Sequence, residues 1–266
     1  MFDKIGFIGC GSMGGALIRA VAANGETREI LISGKGSERS AAVAKETGAL
    51  VAENEQIASE CSLIFLAVKP QVMPEVLDGL KECFAARKDR FVIVTIAAGL
   101  SIDSIRSMAG GNYPVIRIMP NLPVSAGSGT TLYCFKDVNE DELDSFLEIM
   151  KCSGIMCPVE ERLIDAGSAV SGCGPAFAFM FIEAMADGGV ACGLPRSTAQ
   201  LLAAQTLAGS AKLLMESGKH PGELKDNVCS PGGTTIEGVL TLEAGGFRSV
   251  TAEAVISAYN KTVKCG

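Results

Sequence analysis

The sequence predicts an α/β fold in which a mostly parallel sheet is followed by an all-α region. Apolar runs of strand length alternate with helical patterns through about residue 160, as expected when helices connect the strands of a parallel sheet. Beyond Glu160 the segments are almost wholly helical. A chain of 266 residues can bury a large core, and we predict two domains, residues 1–160 and 161–266.

The first predicted strand leads directly into a glycine-rich turn. The segment from Ile5 reads I-G-F-I-G-C-G-S-M-G-G-A-L, and it places Gly9, Gly11 and Gly14 in the order G-x-G-x-x-G between an apolar strand and a helical pattern. The first glycine permits a tight turn, the second lets a diphosphate approach the backbone, and the third lets helix and strand pack closely. A plain strand-to-helix corner can show the same glycine pattern. Here a predicted strand precedes the glycines, a predicted helix follows them and the motif begins at Ile5, so we favour dinucleotide binding.

The second predicted strand, Glu29–Ser33, should end near the ribose of the adenosine. NAD-binding sheets usually carry Asp or Glu there, whereas this chain has Ser33 and Lys35, with Arg39 shortly after. Hydroxyls and cations suit a 2′-phosphate, so NADP(H) is favoured and NAD(H) stays open. The alternative is a solvated turn with an incidental lysine.

Six further strands complete the predicted sheet: 50–52, 62–68, 91–96, 113–119, 129–135 and 155–159. The run 62–68 is apolar throughout, which is typical of a parallel strand that is buried on both faces. Helices are predicted at 40–47, 101–108 and 140–152, and Asn139 with Glu142 forms a predicted capping box for the last of these.

Two strand ends carry candidate binding residues. Pro70 stops the strand 62–68, which puts Lys69 at the carboxyl end, where open α/β sheets bind ligands. The small residues Ala97, Ala98 and Gly99 follow the strand 91–96, and they would let a nicotinamide and its ribose lie against the backbone. The same three residues would also suit a tight turn into a helix, and both interpretations can hold together.

The second domain should be helical at 162–169, 175–188, 197–217, 236–242 and 252–263. The helix 175–188 is apolar on both faces, with Phe177, Met180 and Phe181 on one and Phe179 and Ile182 on the other. A helix that is apolar all round must be covered on all sides, which predicts an obligate homodimer. The alternative, cover by the first domain, predicts a monomer.

The composition excludes several classes of function. A net charge of −7 argues against nucleic-acid binding, and the single histidine, His220, leaves no Ser-His-Asp triad and no multi-histidine metal site. We predict no metal, and we expect His220 to be solvated or to cap a helix. The ten cysteines are scattered and form no C-x-x-C pair, which is typical of free thiols in a reducing cytoplasm. The sequence shows no signal-peptide pattern and no uninterrupted apolar run of membrane-spanning length. We therefore expect a cytoplasmic protein that does not associate with a membrane.

Two glycine-containing segments in the second half are unlike ordinary connections. Ser171–Ala176 reads S-G-C-G-P-A, and Ser230–Thr235 reads S-P-G-G-T-T before a predicted helix. The second segment puts backbone N–H groups and two hydroxyls at a helix start, which can hold a carboxylate and orient a small polar ligand. As a bare pattern it could be a capped turn.

Several motifs in order resemble the pyrroline-5-carboxylate reductase family. They are the glycine turn with Met13, L-A-V-K-P at 66–70, A-A-G at 97–99, R-I-M-P-N at 117–121, S-G-C-G-P-A-F at 171–177, G-L-P-R at 193–196 and L-K-D-N-V-C-S-P-G-G-T-T at 224–235. The resemblance implies a Rossmann-type domain that holds NAD(P)H and a helical dimerisation domain, with dimers that commonly associate into rings. It implies reduction of pyrroline-5-carboxylate to L-proline, the last step of proline biosynthesis.

The resemblance also implies site residues. The substrate carboxylate and ring nitrogen would be bound by Gly232, Gly233, Thr234 and Thr235. Asn227 would reach the cofactor across the domain junction. The remaining cofactor residues would be Ile8, Gly9, Cys10, Gly11, Ser12 and Met13 around the diphosphate, Ser33 and Lys35 at the 2′-phosphate, Asn54 at the adenosine, and Ala67, Val68, Lys69, Pro70, Ala97, Ala98 and Gly99 towards the nicotinamide.

The chain departs from the family pattern at two places. Gly218 and Lys219 precede the His-Pro-Gly segment, where some members have Glu, so a role for that carboxylate is in doubt. Cys173 stands where Ser is common, and its small side chain should have little consequence.

The chemistry assigned to these residues needs no histidine. Thr235 would orient the iminium nitrogen through its hydroxyl, and Lys69 would contribute electrostatically or as a proton relay. Two other functions stay open from the residues alone. A β-hydroxyacid dehydrogenase would use Lys212 as its acid, and a nucleotide-sensing module would bind NADP(H) without turnover.

Overall fold

The computed structural model describes residues 2–25 and 28–265, without the side chains of Ser37, Lys264 and Cys265. It contains two compact units, one formed by Met1–Gly172 with Tyr259–Gly266 and the other by Cys173–Ala258. The boundary predicted at 160 follows the last strand of the sheet, whereas the boundary between the two compact units follows Gly172. The helix at 164–171 accounts for this difference, because it packs on a strand of the sheet.

The first unit is built on one eight-stranded sheet in the described ranges, which confirms the α/β prediction. The strands are β1 (Lys4–Ile8), β2 (Glu29–Ser33), β3 (Leu50–Val51), β4 (Leu63–Leu66), β5 (Val92–Thr95), β6 (Val115–Met119), β7 (Gly129–Lys136) and β8 (Gly154–Pro158). Their order is β3-β2-β1-β4-β5-β6-β7-β8. The first six are parallel, β7 is antiparallel to β6, and β8 is parallel to β7.

Helices cover both faces of this sheet. Those of the first unit are α1 (Ser12–Ala23), α2 (Ser37–Thr47), α3 (Asn54–Glu60), α4 (Met73–Ala86), α5 (Ile102–Ala109), α6 (Glu140–Met150) and α7 (Ile164–Ser171). One face carries Phe7 and Phe65, whose rings stack with centroids 4.3 Å apart. The other carries Ile8, Ile64 and Ile93. Strands buried on both faces explain why these segments read as continuous apolar runs.

The second unit is helical and has little core of its own. It contains α8 (Gly174–Ala191), α9 (Arg196–Ser217), α10 (Pro221–Val228), α11 (Thr234–Ala244) and the first part of α12 (Phe247–Cys265). The buried residues of its apolar cluster are Ala186, Ala199 and Ala203. Phe179 and Met180 on α8 are 56 % and 68 % exposed in the single chain. The helix that the sequence shows to be apolar all round is therefore uncovered in one copy.

Several elements differ from the sequence prediction. The strand and helix cores match, with ends shifted by at most five residues, and the capping box of α6 forms as predicted. The helices α3, α4 and α10 have no counterpart among the predicted elements. The continuous stretch Glu161–Ala191 is also long and apolar enough to cross a membrane by length and composition, although the sequence has no uninterrupted apolar run of that length. One such stretch is weak support for a span, because a core helix of a soluble protein meets the same criteria of length and composition.

Candidate active site

The carboxyl ends of four neighbouring strands bring most predicted cofactor residues to one edge of the sheet. Ile8 at the end of β1 pairs with Ser33 at the end of β2 and with Leu66 at the end of β4. Leu66 in turn pairs with Thr95 at the end of β5. The segments that follow these ends are therefore adjacent: 9–13 after β1, 34–36 after β2, 67–70 after β4 and 96–100 after β5. A crevice outside such strand ends is where open α/β sheets bind ligands.

The glycine turn has the geometry that a diphosphate site needs. Gly9 has a φ of +114°, and a Cβ there would lie 2.5 Å from the carbonyl oxygen of Ala67, so only glycine fits. A Cβ on Gly14 would lie 2.1 Å from the carbonyl oxygen of Gly9, which shows how closely helix α1 approaches the turn. A Cβ on Gly11 would meet no described atom within 4 Å. The tight packing at Gly9 and Gly14 and the open space at Gly11 fit the close approach of a ligand to the backbone.

The start of α1 leaves its first backbone N–H groups available. Gly11 is the N-cap, and no side chain of the described residues caps this end. The beginning of the helix has no acidic residue in its first turn either. Because the partial positive charge of a helix start attracts anions, this end suits the diphosphate of a dinucleotide. Cys10 in the turn is buried, which raises the pKa of its thiol and keeps it neutral.

Ser33 and Asn54 come together beyond the end of β2. The hydroxyl of Ser33 donates to the Oδ1 atom of Asn54 at 2.5 Å, and the Ser33 carbonyl accepts from the Gly9 N–H at 2.9 Å. The predicted adenosine residues are therefore joined to each other and to the glycine turn. Lys35 and Arg39 are exposed nearby and make no side-chain hydrogen bond or ion pair with any described residue, so both are available to an anion.

The segment after β4 borders the glycine turn. The Ala67 N–H donates to the Ile8 carbonyl at 2.8 Å, and the Cβ position of Gly14 lies 3.0 Å from the Ala67 Cβ. Lys69 is exposed and caps the short 3₁₀ helix Pro70–Val72, which Pro70 begins. The lysine therefore lies at the carboxyl edge of the sheet, where the sequence places it.

The segment after β5 is held by its own strand. Ala97 is buried and its N–H donates to the Thr95 hydroxyl at 3.3 Å, while Gly99 has a φ of +75°. Ala98 and Gly99 are exposed, and contact of 97–99 with a nicotinamide stays a prediction from A-A-G. Thr95 was not singled out by the sequence analysis, because a threonine inside an apolar strand run gives no signal.

The remaining predicted residues belong to the second unit. His220 caps α10, and its Nδ1 atom accepts from the Gly222 N–H at 3.1 Å, as one of its two predicted roles requires. Asn227 lies exposed in the last turn of α10. Gly232 has a φ of +66°, and Gly233 is the N-cap of α11 with no described side chain capping this end. Thr234 and Thr235 are exposed in the first turn of α11, beside free N–H groups.

Arg117 is a buried charge at this edge, and it was not among the predicted site residues although it begins the R-I-M-P-N motif. Arg117 in β6 is 4 % exposed, and its Nη atoms lie 3.3 Å from Oε1 of Glu161 and 3.3 Å from Oδ1 of Asp165. A charged residue inside the apolar run V-I-R-I-M is itself a sequence signal, since a buried cation needs anionic partners. The sequence could not reveal those partners, which lie 44 and 48 positions later.

Two family models match the chain. The model described as pyrroline-5-carboxylate reductase dimerisation matches residues 161–265. The model described as NADP oxidoreductase, coenzyme F420-dependent, matches residues 4–99. The first covers the helical half and the second covers the strands that form the predicted cofactor edge.

Similar proteins cover the chain from end to end. The chain is 41 % identical over 268 residues to the pyrroline-5-carboxylate reductase of Escherichia coli, covering 99 % of this chain and 98 % of that protein. A crystal structure of Plasmodium falciparum pyrroline carboxylate reductase with NADP bound has a TM-score of 0.85 and 33 % identity, covering 97 % and 96 % of the two chains. The Coxiella burnetii pyrroline-5-carboxylate reductase has a TM-score of 0.89 and 29 % identity, covering 98 % and 97 %.

Proposed function

The chain belongs to the pyrroline-5-carboxylate reductase family, and from that premise we propose how its own residues carry out the reaction. It is an NAD(P)H-dependent oxidoreductase that reduces pyrroline-5-carboxylate to proline, the last step of proline biosynthesis, and it uses NADP(H). The single observation that supports the reaction best is the 41 % identity over 99 % of the chain to a pyrroline-5-carboxylate reductase.

The cofactor residues are proposed from the sheet edge. The backbone of Gly9–Met13 would hold the diphosphate, because the α1 start is uncapped and the Gly11 side is open. Asn54 and Ser33 would bind the adenosine ribose, and Lys35 would pair with its 2′-phosphate. The 67–70 and 97–99 segments would lie along the nicotinamide side, and Asn227 would also contact the cofactor. When bound, the reduced nicotinamide supplies the hydride that the imine carbon accepts.

The substrate would be held by the start of α11. The N–H groups of Gly232 and Thr234 suit the carboxylate, since the helix start is also positively polarised, whereas the Gly233 N–H already donates to the Ser230 carbonyl at 3.0 Å. The Thr235 hydroxyl makes no hydrogen bond with described residues, so it is free to orient the ring nitrogen. A proton or hydrogen bond on that nitrogen draws electrons from the carbon being reduced. Lys69 would add positive charge near the substrate or relay a proton.

Replacing Thr235 tests this assignment. With Thr235→Ala, we expect consumption of NADPH with pyrroline-5-carboxylate to slow by roughly ten- to a thousand-fold, the loss of one or two positioned hydrogen bonds. Thr241→Ala is the matched control, because that hydroxyl only donates to the Glu237 carbonyl within the same helix, at 3.0 Å. An unchanged rate for Thr235→Ala would remove this residue from the mechanism. Absence of turnover in the unaltered protein would contradict the proposed function.

Replacing Lys35 tests the cofactor assignment. The Lys35→Ala variant should raise the KM for NADPH by roughly tenfold and leave the KM for NADH nearly unchanged, because only NADPH carries the phosphate. The Lys45→Ala variant removes a cation in the last turn of α2 and serves as the control. Equal effects on both cofactors would show that Lys35 does not contact the 2′-phosphate.

The cellular setting and assembly are also proposed. The dimerisation match over 161–265 supports a homodimer formed by the helical half, and the resemblance adds association of dimers into a ring. Free, unpaired thiols among the described cysteines suit a reducing cytoplasm. The small-molecule substrate and the net charge of −7 favour a protein that binds neither nucleic acid nor membrane.

A further inference from the structure

A carboxylate from outside helix α5 caps the start of that helix. Ser101 is the N-cap, and its hydroxyl accepts from the Ser104 N–H at 3.1 Å. The N–H of Ile102, the first residue of α5, donates to Oε1 of Glu161 at 2.7 Å. Glu161 begins the short 3₁₀ helix Glu161–Leu163, which is 59 positions away in sequence. A negative charge at this point also interacts favourably with the helix dipole.

Arg117 holds that carboxylate in place. The same Oε1 atom of Glu161 lies 3.3 Å from an Nη atom of Arg117, and the Arg117 side chain is 5 % exposed. The Nε atom of Arg117 has no partner among the described residues, so the guanidinium depends on Glu161 and Asp165. A buried guanidinium keeps its charge, which fixes the position of Glu161 through both attraction and the cost of leaving the cation unpaired.

The network ends at the segment 97–101. This segment runs from β5 to α5, and Arg117 pairs with Thr95 across the β5–β6 register. At one end of the segment the Ala97 N–H donates to the Thr95 hydroxyl, and at the other the Ile102 N–H donates to Glu161. The segment is therefore held at both ends, and at the α5 end the Glu161 contact adds to the cap that the Ser101 hydroxyl makes with the Ser104 N–H.

We propose that Glu161, held by Arg117, is a positioning residue that orders segment 97–101 for binding of the nicotinamide side of NADP(H). The inference rests on the proposed function only in assigning the nicotinamide to this segment. The Ala97–Gly99 backbone would contact the cofactor, and Glu161 would act through that backbone. Without the Glu161 contact, more of the ordering of 97–101 would have to accompany cofactor binding and would weaken it.

Asp165 provides a matched control for this role. Its Oδ1 atom lies 3.3 Å from the other Nη atom of Arg117, and its side chain is 33 % exposed against 36 % for Glu161. The two carboxylates therefore form equivalent ion pairs with the same cation. Only Glu161 also accepts a hydrogen bond from α5. A purely structural role for the ion pairs predicts similar effects of both substitutions.

The first measurement is hydrogen exchange of the 97–105 backbone in the full-length protein without cofactor. In Glu161→Ala we expect roughly tenfold faster exchange than in the unaltered protein, from the loss of one charge-assisted hydrogen bond. In Asp165→Ala the exchange of this segment should stay within about twofold. In Glu161→Gln, which keeps an oxygen acceptor for the Ile102 N–H, exchange should be intermediate.

The second measurement is cofactor binding. Calorimetric titration should show an NADPH dissociation constant roughly tenfold higher for Glu161→Ala and within about twofold of the unaltered value for Asp165→Ala. In the assay, the KM for NADPH should rise in parallel, while the KM for pyrroline-5-carboxylate stays constant. The thermal midpoint reports stability, and comparable losses in both variants are consistent with the proposal because Arg117 loses one partner in each.

Equal exchange and equal NADPH affinity for the two alanine variants would overturn the proposal. So would faster exchange over the whole first unit in Glu161→Ala alone, because this would indicate general destabilisation. Failure of the proposed function is distinguishable, since it appears as missing turnover in the unaltered protein. The exchange and calorimetric results judge the role of Glu161 in that case too.

Discussion

The two compact units use similar apolar residues in opposite ways. In the first, Phe7, Phe65 and their neighbours are fully buried between the sheet and its helices. In the second, the buried apolar cluster consists of three alanines, while Met180 and Leu201 are 68 % and 69 % exposed. The first unit therefore covers its own core, whereas the second leaves large apolar side chains exposed, as interaction surfaces do.

The difference lies in the arrangement of apolar residues rather than in their number. A parallel sheet with helices on both faces encloses every strand, so a continuous apolar run is satisfied within one chain. Helix α8 is apolar on all sides, and a few neighbouring helices cannot enclose it. The dimerisation match over 161–265 agrees with cover by a second copy. An apolar pattern thus predicts burial without saying which chain provides it.

A charge on the exposed surface of α8 should have the largest effect, and that effect should be on dimerisation. The Met180→Asp variant places a charge on the exposed side of α8, and burying it in a dimer would raise the dissociation constant by roughly a thousandfold or more. Light scattering at micromolar concentration should then detect monomers. Ile155→Asp is the control, because Ile155 is 58 % exposed on β8 in the first unit. A Met180→Asp variant that remains dimeric would show that α8 lies outside the interface.

Two glycines should separate folding from binding in the self-contained unit. Gly14→Ala puts a Cβ 2.1 Å from the Gly9 carbonyl oxygen and should lower the free energy of unfolding by about 3 kcal/mol. Gly11→Ala meets no described atom within 4 Å, so the protein should fold normally but bind NADPH roughly tenfold more weakly. Denaturant unfolding and NADPH titration check the two expectations. Similar unfolding curves for both variants would contradict the packing argument.

Acid should lower the free energy of unfolding of the first unit, by less than the Gly14→Ala substitution does. Burial acts to raise the pKa of Glu142, but hydrogen bonds from Arg90 and from the Asn139 N–H outweigh it and lower this pKa overall. A lowered folded-state pKa stabilises the protein above the unfolded pKa of about 4.3, and the contribution is lost as the pH falls through the folded value. Glu142→Gln should therefore cost about 1–2 kcal/mol at neutral pH and less below pH ~4.

The Glu140→Gln variant is the control for this prediction. Glu140 lies exposed in the first turn of the same helix, so its substitution should change the free energy of unfolding by less than about 0.5 kcal/mol. Denaturant unfolding at several pH values measures both variants. An effect of Glu142→Gln that persists unchanged in acid would show that its charge does not carry the stabilisation.

The sequence predicts the fold well where one chain satisfies its own pattern. Every predicted strand is present, and strand order brings segments 9–13, 67–70 and 97–99 to one edge because parallel carboxyl ends coincide. Helix α10 was missed because its charged and proline-containing segment resembles a loop, although the predicted cap His220 begins it. The sequence analysis also predicted no helix at α3 or α4. Each of them connects two parallel strands, so the spacing of those strands already required a connection there.

The polar details of the site depend on contacts between distant positions. Ser33 and Asn54 were each predicted, but their direct hydrogen bond follows from the placement of β2 beside the start of α3. Arg117 signals a buried ion pair, whereas Glu161 and Asp165 look like ordinary surface acids in the sequence. Such partners depend on the tertiary fold, because no local pattern relates positions 44 residues apart.

The two outer strands of the sheet limit the ways in which copies of this protein can aggregate. β3 is only two residues long, and β8 ends in Pro158, which has no N–H to offer an incoming strand. Amyloid-like growth by strand addition therefore finds poor templates at either side. Contacts between folded copies are therefore favoured at the exposed apolar helices of the second unit rather than at the sheet edges.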